Sequence, residues 1–190
     1  MVLAVMVLAV FVLFLLFAAK PANLTDTTSR MAVMLFGIIY VGFLLSHMLL
    51  LRNRPMGTQW VFFLLITVWA GDTSAYFTGT LIGKHKLYPK ISPKKSVEGL
   101  LGGIAGSIFV ALLFRRFFFR DLAWSHTVML AFFIMILGQI GDFGESMLKR
   151  SANVKDSSRL IPGHGGILDR LDSFLFSTPF LYYYVRVVFQ

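Results

Sequence analysis

Apolar stretches of about 18 or more residues recur along this chain, the length a helix needs to cross roughly 30 Å of hydrocarbon. Six spanning helices are predicted, at about 2–19, 31–51, 60–82, 99–119, 124–148 and 173–189. They imply an all-α, polytopic membrane bundle. The composition agrees: 57% of the residues are hydrophobic and 14% charged, where a soluble domain carries about a quarter charged. The first run has no basic residue ahead of its apolar stretch, so it reads as a spanning helix and not as a cleaved signal peptide. No connection is long enough for a separate soluble domain, so one integral membrane domain is expected over 1–190. The chain has no cysteine, which excludes disulfides and thiolate metal sites.

With six spans, loops 20–30, 83–98 and 149–172 fall on one side and carry twelve of the 18 Lys and Arg residues. That excess orients them toward the cytoplasm. The net charge of +9 therefore tracks membrane loops, which disfavours nucleic acid as a partner.

Residues 142–172 hold the chemistry. Five of the nine carboxylates lie there (Asp142, Glu145, Asp156, Asp169 and Asp172), together with Lys149, Arg150, Lys155, Arg159 and Arg170. Charge beside lipid is costly, so such a cluster marks a functional site by default. If the fifth span continues to residue 149, Asp142, Glu145, Ser146 and Lys149 share one helical face. Asp169 and Asp172 would share another, at the start of the last span. Carboxylates at two helix ends suit an oxygen-ligated cation such as Mg²⁺. An interhelical salt-bridge network through Lys149 and Arg170 explains the same spacing. Between the two groups, IPGHGG offers free backbone N–H groups for an anion. There His164 reads either as a phosphate donor or metal ligand, or as a structural hydrogen-bonding residue.

Upstream, the lysine-rich loop 83–98 reads either as an anchor on anionic headgroups or as a lid over a phosphate. Asp72 sits near the end of the preceding span and needs a cation or a water-filled cavity. Gly99/Gly103 and Gly102/Gly106 form small-xxx-small pairs for close helix packing, within one chain or across a homodimer. Glu98, at a helix start, is a weaker candidate for the site.

The string Ser146-x-x-Lys149-Arg150-x4-Lys155-Asp156-x-Ser158-x2-Ile161-Pro162-x-His164-Gly165-Gly166-Ile167-x-Asp169-Arg170-Leu171-Asp172 resembles the signature of the phosphatidate cytidylyltransferase family. The stretch GDTSAYFTGTLIGKHKLYPKISPKKSVEG resembles that family's upstream block, and the likeness covers about 68–175. Two departures stand out. Family members usually carry further N-terminal membrane helices, which implies a short or truncated form here. Lys94-Lys95-Ser96-Val97 also stands where bacterial relatives often read Gly-Lys-Thr-Trp, so the lid is expected to differ in detail.

The resemblance implies a bacterial inner-membrane enzyme with its site facing the cytoplasm. Its substrates would be CTP and phosphatidate, and its products CDP-diacylglycerol and pyrophosphate. It implies Mg²⁺ held by Asp142 and Asp169, then Asp172, with Ser146 as a neutral oxygen ligand, and room for a second cation. Lys149, Lys155 and Arg170 would contact phosphates, with pairing to a ligand carboxylate as the alternative for Arg170. Asp156 would orient Lys155 or reach a metal through water. Asp72, Lys95, Arg150, His164, Gly165 and Gly166 complete the substrate-binding set. The competing readings are a CTP-dependent polyprenol or phytol kinase and an ion-coupled transporter. The chain shows no internal symmetry of the kind transporters often carry.

Overall fold

Helix replaces apolar sequence almost throughout the computed structural model, which describes residues 2–19, 24–158 and 166–189. α1 (Val2–Ala19) is followed by α2 (Leu24–Gly37), a π-helical turn (Ile38–Phe43) and α3 (Leu44–Arg52). The last three run on as one helix. Then come α4 (Gly57–Ile82), α5 (Val97–Phe118), α6 (Trp124–Ser151), the one-turn α7 (Leu168–Leu171) and α8 (Phe174–Val188). Among the described residues, four helices are long and apolar enough to cross a bilayer: Asp26–Arg52, α4, α5 and α6. The apolar part of α1, Ala4–Phe17, is shorter, and α8 has 15 residues with Pro179 inside it. The all-α, polytopic membrane bundle holds: α1 covers the expected 2–19, and α8 falls within the expected 173–189.

Two sequence expectations change. Helix begins well before residue 31, so part of the 20–30 connection is helical. Within the 83–98 connection, β1 (Lys86–Tyr88) pairs antiparallel with β2 (Ser92–Ser96), with an irregular register between Lys86 and Tyr88. This hairpin is tied to the start of α5. Ser96 caps that helix by accepting from the Gly99 N–H at 3.1 Å, and Glu98 accepts from the backbone N–H groups of Lys84 and His85. Glu98 also pairs with His85 Nδ1 at 2.6 Å. It thus fixes the turn that aims the hairpin, and it does not line the cavity beneath.

Lipid tails are as apolar as leucine, so helices associate in a bilayer through close packing and hydrogen bonds. α4 and α5 show this. A methyl group at Gly103 would sit 3.0 Å from both the Gly71 carbonyl oxygen and Ala75 Cβ, and one at Gly106 would overlap Ser74. Ser107 donates to the Thr67 carbonyl across the same crossing, at 3.1 Å. The glycine pairs of α5 therefore pack within the chain, against α4. Phe63, Leu64, Leu130, Ile134, Leu175 and Leu181 fill the space between α4, α6 and α8, all fully buried. Large side chains such as Phe62, Trp69, Phe109 and Phe117 face outward, as expected where lipid is the solvent. The chain is an integral membrane protein.

Candidate active site at the helix ends

A cavity of about 700 Å³ opens where α4 ends, α5 begins and α6 meets the segment before α8. One wall is cationic, because the hairpin brings Lys86, Lys94 and Lys95 to it. The other carries Asp72 from α4, Asp142 from α6, and Asp169 and Asp172 from the α7 region. The helix crossing explains the depth: Gly79 and Gly99 line the cavity, and neither has a side chain to fill it.

The two walls meet in an ion pair. Lys95 Nζ lies 2.6 Å from Asp142 Oδ2 and 4.4 Å from the centre of the Phe143 ring. On its other oxygen, Asp142 accepts from Ser146 Oγ at 3.3 Å, so the expected i, i+4 pair on α6 is formed. Asp72 is held from two elements. Gln139 Nε2 donates to its Oδ1 at 3.4 Å, and Ser173 Oγ lies 3.3 Å from its Oδ2. The same Ser173 hydroxyl is 3.4 Å from Asp172 Oδ1, and the Ser173 N–H donates to that oxygen at 2.7 Å. One hydroxyl proton thus stands between two carboxylates. Burial, then the neighbouring Asp142, pushes the Asp172 carboxyl up to about 7. Glu145 and Asp72 add to the rise, and the Ser173 N–H opposes it.

Asp169 behaves differently. Its Oδ1 receives Lys149 at 2.6 Å, and its Oδ2 accepts from Ser157 N, Ser157 Oγ and Gly166 N at 2.9, 2.6 and 2.7 Å. Burial alone would raise this carboxyl. The Lys149 ammonium and these donors outweigh it and hold the group well below the usual carboxylate range. Both oxygens are therefore engaged, tying Ser157 and Gly166 to α6 through Lys149. Lys149 also pairs with the buried Glu145, completing the second i, i+4 pair of the helix face. Asp169 and Asp172 were expected to open the last span. They lie instead on α7 and at its end, and point to different partners.

The remaining expected site residues separate by place. Arg150, Lys155, Asp156 and Arg170 are exposed, and none lines the cavity. Gly166 is buried in the clamped loop, where an added methyl would meet the Ser157 hydroxyl. His164 and Gly165 lie outside the described residues. Sequence reasoning missed Gln139 and Ser173, whose links to Asp72 span 67 and 101 residues. The cue available for Gln139 was its polarity within an apolar span.

No three His, Asp or Glu side chains among the described residues stand close enough together to hold one ion. What the cavity does offer is Asp142 and Asp172, with Asp72 and the already engaged Asp169 on the same wall. That fits Mg²⁺, which binds through one or two carboxylates and keeps water and phosphate oxygens as its other ligands.

Comparison with known proteins gives the family. Residues 1–188 match the model of the cytidylyltransferase family. A phosphatidate cytidylyltransferase of Bacillus subtilis (strain 168) is 39% identical over 173 residues, covering 90% of this chain and 64% of that protein. The proteins of the same name from Staphylococcus saprophyticus and Staphylococcus aureus (strain COL) are 45% and 41% identical, over 79% of this chain and 57% of theirs. The chain thus spans roughly three fifths of the length of these relatives.

Proposed function

Because this chain belongs to the cytidylyltransferase family, we propose that it transfers CMP from CTP to phosphatidate, giving CDP-diacylglycerol and pyrophosphate. The observation that carries this reading is the cavity itself. It sets three lysines opposite a group of carboxylates at the ends of membrane helices. A water-borne polyanion and a lipid phosphate can meet there. The site is read as facing the cytoplasm from a bacterial inner membrane, in keeping with the excess of basic residues on that side.

In this reaction a phosphate oxygen of phosphatidate attacks the α-phosphorus of CTP. The new P–O bond forms as the bond to the β-phosphate breaks, and the electron pair leaves with pyrophosphate. The nucleophile is a phosphate monoester whose second pKa is about 6, so it is largely dianionic at neutral pH and needs no strong base. The task left to the protein is electrostatic: to bring two polyanions together and neutralise charge on the leaving group.

Lys86, Lys94 and Lys95 draw in the triphosphate. Lys95 can exchange Asp142 for a phosphate oxygen without crossing the cavity. Lys149 is the second phosphate-binding cation, kept at the site by Glu145 and Asp169. Asp142 and Asp172 would hold Mg²⁺, with Ser146 as a neutral oxygen on the same face. When bound, Mg²⁺ supplies charge neutralisation at the phosphate oxygens. Asp169 ties Ser157 and Gly166 to α6 through Lys149, and the exposed Lys155 and Arg170 are the further cations proposed for phosphate.

The test is product analysis with purified protein, CTP, Mg²⁺ and phosphatidate in detergent. Liponucleotide with equimolar pyrophosphate is expected. CDP together with a phosphorylated prenol, formed when a prenol alcohol replaces phosphatidate, would instead assign a CTP-dependent kinase.

A further inference from the structure

Tyr40 stands on the π-helical turn of the helix formed by α2 and α3, where one wider turn changes which residues face α6. Such turns recur at functional sites. The side chain is 8% exposed, stacked on Phe36 at 5.2 Å and edge-on to Phe176 at 6.1 Å. Its hydroxyl is buried without a hydrogen-bond partner. It lies against Gly144 of α6, so close that an added methyl there would sit 3.0 Å from it. An orphaned buried hydroxyl costs stability, and its presence calls for a reason.

The residue after Gly144 supplies one. Glu145 is 1% exposed; its Oε2 is met by Lys149, while its Oε1 is buried without a hydrogen-bond partner. Its charge is met by Lys149. A buried donor without an acceptor therefore lies one residue along α6 from a buried carboxylate oxygen that also lacks a hydrogen bond. If Lys149 turns to a phosphate, Glu145 is left as a buried charge with no partner, which is a severe penalty.

We propose that Tyr40 is a positioning residue that takes over Glu145 when Lys149 turns to a substrate phosphate. Its hydroxyl is unsatisfied in the resting chain because its partner is still held by Lys149. The proposal rests on Lys149 as a phosphate-binding cation, and extends that role to a helix that supplies nothing else to the site.

The first test is a thermal-stability cycle in detergent, without substrates. Tyr40→Phe keeps the ring contacts and is expected to leave Tm unchanged or raise it. In a Lys149→Met background, where Glu145 has lost its cation, the same change is expected to lower Tm by roughly 2–4 °C. Equal effects in the two backgrounds would overturn the proposal, as would a fall in Tm for Tyr40→Phe alone. A turnover cycle gives a second readout if Lys149→Met does not fold. Tyr40→Phe should reduce kcat/KM on the order of tenfold to a hundredfold. In a Glu145→Gln background it should change it by no more than about twofold. Additive losses would overturn the hand-over. If the native chain transfers no cytidylyl group, the functional reading fails, and the stability cycle still decides the role of Tyr40.

Discussion

The two ends of this bundle are built from the same helices and both carry cations, yet they use them in opposite ways. At the end away from the cavity, Arg115 donates to the carbonyl oxygens of Leu122 and Arg120 and lies 4.6 Å over the Trp124 ring. Around it Trp60 packs on Phe119 and Phe189 at 4.4 and 5.3 Å, and His126 is hydrogen-bonded to Tyr184. There the charge closes the turn after α5. At the cavity end, Lys95 and Lys149 pair with buried or half-buried carboxylates, while the Tyr40 hydroxyl is buried without a hydrogen bond. One end meets its cations with its own groups, apart from the buried Arg54 Nε. The other is arranged for charges it does not itself contain, and that contrast separates anchoring cations from working ones.

The sharpest way to break the contrast is to neutralise the acidic wall. Asp142→Asn and Asp172→Asn are each expected to lower kcat by at least about a hundredfold while Tm holds or rises, since each removes a crowded charge. Calorimetry and turnover on the same samples check this, and a parallel loss of stability would make these carboxylates structural. Next comes the cationic wall. Lys95→Met should lower kcat/KM by roughly tenfold to a hundredfold, because it leaves Asp142 without its cation and the phosphate without a partner. Lys86→Ala or Lys94→Ala, both exposed, should raise KM for CTP only a few-fold, and more at low salt than at high.

Asp169→Asn lies between the two ends in character. It removes the clamp on Lys149, Ser157 and Gly166, so proteolysis near Ser157 should speed up as activity falls. Unchanged protection of the loop would restore Asp169 to the role of a simple metal ligand. The smallest effect belongs to the far end. Arg115→Gln should cost about 1 kcal/mol or less of stability and leave both KM values unchanged.

Much of this was legible in the sequence, for identifiable reasons. Asp142, Glu145, Ser146 and Lys149 follow helical spacing, and the helix does run to Ser151, so both i, i+4 pairs form. The glycines of α5 marked a close crossing, since a bilayer gives helices little other reason to approach. Their partners Gly71 and Ala75 on α4 were not read, because a one-chain pattern does not say which face meets which. Nor were Gln139, Ser173 and Tyr40. Each matters only through a residue distant in sequence, and none carries a charge to draw attention. Asp169 was read from spacing as a twin of Asp172. A single helical turn separates them in the structure and gives them different neighbours.

The central claim is that this cavity moves the α-phosphoryl group of CTP, with its nucleoside, onto a lipid phosphate. Parallel reactions with CTP labelled at the α- or the γ-phosphate, run with phosphatidate and Mg²⁺, test it most directly. The account predicts α-label in the lipid fraction and γ-label in pyrophosphate, with both lost in Asp142→Asn. Label from the γ-position appearing in lipid would contradict it.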